Sequence, residues 1–293
     1  MSMLDVITWD TITGFLNSNF TAALAGALAG ALAAQRIGDR AKQRESLLQE
    51  IRSTNASLMV AFTICNAGLA LKRQFTRDIH ETYQAKKKEH DEFRRRLAAG
   101  QQLDQPFEFQ ADFRSLQMPL MPIDILRTQL YEKVSASGRP LALVGAIAGA
   151  IESLADVIKK RNDLIERFRT LPANERDRLL PALYFGVPFG PGHLSTEFPD
   201  TITALYNLTD DVIFFSELLC KDLMAHGNRV LDRYKKVAKL KEESVHSVDF
   251  SDARKQGLMP DAANYGDWLR GFPNAAQPAL PADGPGPAGS GRR

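Results

Sequence analysis

Lysine and arginine are missing from the first 35 residues of this 293-residue chain, although Asp5 and Asp10 are present there. A cleavable signal peptide needs a basic leading region, so any apolar segment near the start is expected to be retained. Cysteine is scarce as well. Cys65 and Cys220 are the only two; each lies inside an apolar helical pattern without paired spacing, which points to packed thiols in a reducing compartment rather than a disulfide or metal site. No GxxxxGK[ST] loop, no GxGxxG following a strand, and no GxSxG elbow, HExxH, paired Glu-x-x-His or CxxC motif occurs. Runs of alternating β-branched residues are equally missing, so a Rossmann or P-loop enzyme is not expected. The formal net charge of +2 identifies no partner.

Against these absences stands one long uncharged run, Phe15 to Ala34. Its twenty residues can cross a hydrocarbon core of ~30 Å at ~1.5 Å per helical residue. Arg36, Arg40, Lys42 and Arg44 follow at once, and this asymmetry places the C-terminal side in the cytoplasm. The expectation is a single-pass inner-membrane anchor at 15–34 with a short extracytoplasmic N-terminus at 1–14. Ala22, Gly26, Gly30 and Ala34 recur every fourth residue, the small-residue row by which two spanning helices pack closely, so a homo-oligomer is expected. The competing reading is an alanine-rich buried helix of a soluble protein.

Residues 35–248 read as a cytoplasmic helical bundle, so the fold class is all-α. Three long helices are expected, at roughly 39–99, 140–169 and 201–241, with short helices near 123–134 and from about 174 to before Gly186. Their seams are explicit. Leu47, Ile51, Leu58, Phe62, Cys65 and Leu69 form one row, Val144, Ile147, Ile151, Leu154, Ile158, Ile165 and Phe168 a second, and Val212, Leu219, Leu223, Val230, Tyr234 and Val237 a third. Each steps by threes, fours and sevens, as coiled-coil-like packing requires. Ser53 to Leu71 is uncharged but carries too many hydroxyl and amide groups for hydrocarbon. The run 141–151 is too short to span; its all-round apolarity predicts burial on every side, with Gly145 and Gly149 at a close crossing in the core. Residues 100–122 predict an ordered connection, and 186–200 a loop that is either a lid or a packed cover.

Two clusters carry charge in a pattern. Between residues 35 and 99 fourteen Lys or Arg face eight Asp or Glu, and Lys86, Lys87, Lys88, Arg94, Arg95 and Arg96 are candidates for contact with anionic lipid or nucleic acid. Interleaved acids favour a solvated face instead, and no aromatic platform supports nucleic-acid binding. The other cluster is Asp211, Asp222, His226, Arg229 and Arg233. Asp222 and His226 lie one helical turn apart, as two metal ligands or an oriented general base would; with Asp211 they are the weak catalytic candidates. Tyr265, Trp268, Leu269 and Phe272 form a short docking segment within 249–270 and just beyond it, and 271–293 has the Pro/Gly/Ala composition of a disordered tail.

The sequence therefore predicts a membrane-anchored, non-enzymatic interaction or scaffold protein that self-associates or binds a protein partner, or a membrane effector of a defence or toxin system. No cofactor is expected. The alternatives are an enzyme using Asp222 and His226, and a nucleic-acid or anionic-lipid binder through residues 72–96.

Overall fold

In the computed structural model residues 19–101, 107–238 and 243–273 are described. The first helix, α1 (Asn19–Leu71), runs through a π-helical turn (Lys72–Thr76) into α2 (Arg77–Ala98). No proline interrupts residues 19–98, and the rod is roughly 120 Å long at ~1.5 Å per residue. The expected boundary between anchor and body is therefore not a break: Gly38 is simply helical. Residues 1–18 lie outside the described part, as do the side chain of Ala22 and the tail from residue 274.

After an extended segment at 107–122 come α3 (Ile123–Lys133), α4 (Arg139–Arg169) and α5 (Ala173–Phe185). The chain continues with α6 (Glu197–Ala238), α7 (Ser251–Lys255), a 3₁₀ turn (Ala262–Tyr265) and α8 (Gly266–Arg270). The described residues are helical and contain no strand, in agreement with the all-α expectation. α6 is the common partner of the other long helices. Along α1 and α2, Glu50, Leu58, Cys65, Lys72 and His80 meet His226, Cys220, Ile213, Asp210 and Tyr206 in turn, so the pair is antiparallel. α4 is also antiparallel to α6, with Arg139 at Asp222 and Phe168 at Phe198.

The rows read from the sequence form the seams. Leu58, Ile64, Ile147, Leu154, Ile165, Leu219 and Leu223 are fully buried, each removal from water contributing roughly 1.5–3 kcal/mol. Both thiols are buried and free, and burial pushes Cys220 up to about 12. The Ser53–Leu71 stretch is core helix: the hydroxyls of Thr54, Ser57 and Thr63 donate to carbonyls four residues back, at 2.8, 2.9 and 2.8 Å. Two helical glycines sit where neighbours press against the helix. A Cβ on Gly68 would sit 3.0 Å from Ile213 Cγ1, and one on Gly227 2.9 Å from Val245 Cγ1 and 3.2 Å from Thr54 Cγ2.

At the far end, the 107–122 segment is strapped down. Arg161, with no exposed surface, donates to the carbonyls of Arg114 and Asp112 at 2.6 and 3.3 Å. The Asn162 amide brackets Leu116, donating to its carbonyl at 2.8 Å and accepting from its N–H at 3.0 Å. Phe107, Phe109 and Phe113 then close over Tyr184 and Phe185.

One expectation is overturned. Leu143, Val144, Ile147 and Ala150 of α4 are buried, but Ala142, Gly145 and Gly149 face outward, and an added Cβ at either glycine would meet nothing within 4 Å. An apolar composition all round did not mean burial all round. Two helical stretches, Gly26–Ala98 and Arg139–Arg169, are long and apolar enough to cross a membrane, with peak mean hydropathies of 1.4 and 1.9. Counting only 141–151 had excluded the second.

Candidate functional site

Most of the α6 cluster lines one cleft. Asp222, His226, Arg229, Arg233 and Lys236 step by 4, 3, 4 and 3 along α6, so they share a face. That face forms one wall of a cleft of about 910 Å³, whose other walls are residues 135–140 between α3 and α4 and residues 271–273.

Two polar couples involve its lining residues. The Arg139 guanidinium forks onto the Asp222 carboxylate, Nε to Oδ2 at 2.8 Å and Nη2 to Oδ1 at 2.6 Å. The Arg139 side chain is only 2% exposed, and a planar fork of this kind fixes both partners. Beside it, His226 Nε2 lies 2.9 Å from Glu50 Oε1 on α1. The same carboxylate oxygen accepts from the Ser135 hydroxyl and, at 3.3 Å, from the Ser135 N–H. Burial pushes the Glu50 carboxyl up, but the hydrogen bonds from Ser135 and His226 outweigh it and hold the group below its usual range.

This geometry limits the chemistry. A serine nucleophile needs the imidazole beside its hydroxyl, whereas Ser135 is bonded to the carboxylate, which lies between serine and histidine. Asp222 is engaged by Arg139 and does not orient His226. Asp211, eleven residues earlier and so roughly 16 Å along the axis, is elsewhere. It accepts from Tyr265 Oη at 2.9 Å, and burial raises its carboxyl despite that bond. No group of three or more metal-ligating side chains occurs among the described residues. What the couples do is join three segments: α1 through Glu50, the α3–α4 connection through Ser135 and Arg139, and α6 through Asp222 and His226.

Sequence reasoning found Asp222, His226, Arg229 and Arg233 but missed Glu50, Ser135 and Arg139. The first two have no local spacing to betray them, since 176 residues separate Glu50 from His226. Arg139 did carry a signal: a charge at the mouth of an apolar helix needs a partner.

The other singled-out residues lie away from the cleft. Lys86 pairs with Glu89 at 2.9 Å, Arg95 with Glu92 at 2.6 Å, and Lys87 with Asp91 at 3.4 Å while also donating to the Phe185 carbonyl. Arg96 donates to Gln101, and Lys88 and Arg94 are exposed. From Ala34 to Lys86 the helix is continuous over 52 residue steps, roughly 78 Å along its axis. Tyr265 stacks on Phe214 at 3.7 Å, Trp268 packs on Phe215 at 5.0 Å, Phe272 lies against Trp268, and Leu269 is buried; the segment docks on α6 of its own chain. Gly26, Gly30 and Ala34 lie in the exposed part of α1, where an added Cβ on either glycine meets nothing within 4 Å.

Comparison with protein-family models, with curated proteins and with solved structures finds no match.

Proposed function

We propose that the chain is a membrane-anchored helical interaction protein that self-associates through the N-terminal half of α1. The observation that carries this reading is that the helix leaves the bundle with its apolar side chains uncovered: Leu24, Leu28, Leu32 and Ile37 are 50, 58, 59 and 70% exposed. Apolar surface in such a continuous run is costly in water and marks a membrane or a partner. The basic residues at 36–44 orient the anchor with the body on the cytoplasmic side. Gly26, Gly30 and Ala34 supply a face on which a second copy approaches closely. Within the body, Glu50, Ser135 and His226 lock the emerging helix to the bundle, so movement of the anchors reaches the body through a stiff connection. That coupling suits a scaffold or a membrane effector, and no residue needs a catalytic role.

Oxidative crosslinking in isolated membranes tests the reading, because the two native cysteines are buried and stay silent. Gly30→Cys is expected to give a covalent dimer, and Leu28→Cys, on the opposite side of the helix, is not. Equal yields at the two positions, or none at 30, would contradict the proposed packing face.

A further inference from the structure

The cleft is larger and more cationic than holding the bundle together requires. We infer that the cleft between the α4 N-terminus and the Arg229–Arg233–Lys236 face of α6 binds a diffusible phosphate-bearing molecule of about nucleotide size. Its volume of about 910 Å³ lies within the range of small-molecule sites. Arg229, Arg233 and Lys236 line it, and within the described residues no ion pair engages them. Of the two carboxylates in the lining, Asp222 is occupied by Arg139. Asp232 alone then faces three cations, and the surplus of positive charge excludes a metal ion and favours a multiply charged anion.

The opposite wall adds donors. Ser137, Gly138 and Arg139 line the cleft at the start of α4, a helix of 31 residues whose first turn receives no side-chain cap. The positive end of the helix dipole is therefore directed at the cavity. Gly138 makes this turn with φ +73°, a conformation in which other residues are strained. Ser137 adds a hydroxyl on the same wall, whereas the Ser135 hydroxyl is taken by Glu50. The same phosphate chemistry is carried by lipid headgroups. Glu50 lies sixteen residue steps beyond Ala34 on the same helix, roughly 24 Å, which sets the cleft back from a bilayer holding α1 and favours the diffusible source.

The test is calorimetric titration of the full-length chain in detergent micelles, at physiological salt, with ATP, with inorganic pyrophosphate and with a short-chain phosphatidylglycerol. Saturable binding of ATP or pyrophosphate is expected, weakened roughly tenfold or more by Arg229→Ala or Arg233→Ala and unchanged by Lys88→Ala. These side chains are exposed, and an unaltered thermal midpoint confirms that each variant is folded. Binding of the lipid alone would overturn the diffusible ligand. Absence of saturable binding for all three, or equal weakening by Lys88→Ala, would overturn the site. The titration does not depend on membrane residence, so its failure is separable from failure of the anchor.

Discussion

The two halves of the first helix share one rod and differ in what covers them. From Leu47 to Leu71 the helix is amphipathic, and Ile51, Leu58, Ala61, Ile64 and Cys65 are fully buried. From Ala23 to Ser46 almost every described residue is exposed, although this half is apolar until Arg36. Glycine makes the contrast plain. Gly68 is consumed by α6, with Ile213 Cγ1 3.0 Å from where a Cβ would stand, whereas nothing stands near Gly26 or Gly30. In the body a small residue has done its work within the chain; in the free half its surface remains available. The same small residue thus serves packing in one place and is left uncovered in the other.

The comparison can be broken or sharpened by substitution on each side of it. The largest effect is expected from Arg139→Ala, which strands Asp222 in the body; unpairing a buried ion pair costs ~3–5 kcal/mol, read as a fall in the denaturation midpoint that Arg36→Ala in the free half does not produce. Next comes Gly227→Ala, whose Cβ meets Val245 and Thr54; overpacking of this kind costs ~1–3 kcal/mol, while Gly30→Ala leaves the midpoint of the body unchanged.

Smaller effects come through pH. His90 stacks on Phe185 at 4.6 Å, and burial lowers its pKa below the ordinary 6.5. The unfolded chain then binds the proton more readily, so the contribution is complete above pH 6.5 and is lost as pH falls through the depressed folded value. Glu50, also depressed, loses its contribution further down, as pH drops below its ordinary 4.5 and through its folded value. Denaturation midpoints measured from neutral to acid pH are expected to fall in these two windows, with the first slope flattened by His90→Phe and the second by Glu50→Gln. Smallest of all is Lys88→Ala on the exposed face of α2, expected within ~0.5 kcal/mol of the parent.

Much of the fold was legible because helix seams repeat locally. The rows from Leu47, Val144 and Val212 each announce a buried stripe within a few turns, and α3 and α5 fall within a residue or two of their expected bounds. Three features were not legible, for physical reasons. The start of α6 at Glu197 rather than about Thr201 was hidden by Pro199, which reads as a breaker but is tolerated in a first turn where its missing N–H costs nothing. The outward face of α4 at Gly145 and Gly149 depends on which neighbours exist, and composition cannot state that. The cleft depends on pairs far apart in sequence, Glu50 with His226 and Arg139 with Asp222, so only the α6 wall could be seen from spacing.

The claim on which the rest depends is that the uncovered half of α1 lies in a membrane, and alkaline carbonate extraction of membranes from cells expressing the full-length chain tests it most directly. The protein is expected to remain in the membrane pellet, and a variant carrying Leu24→Arg, Leu28→Arg and Leu32→Arg to be released while keeping the parent's denaturation midpoint. Release of the unaltered chain into the supernatant would contradict the account.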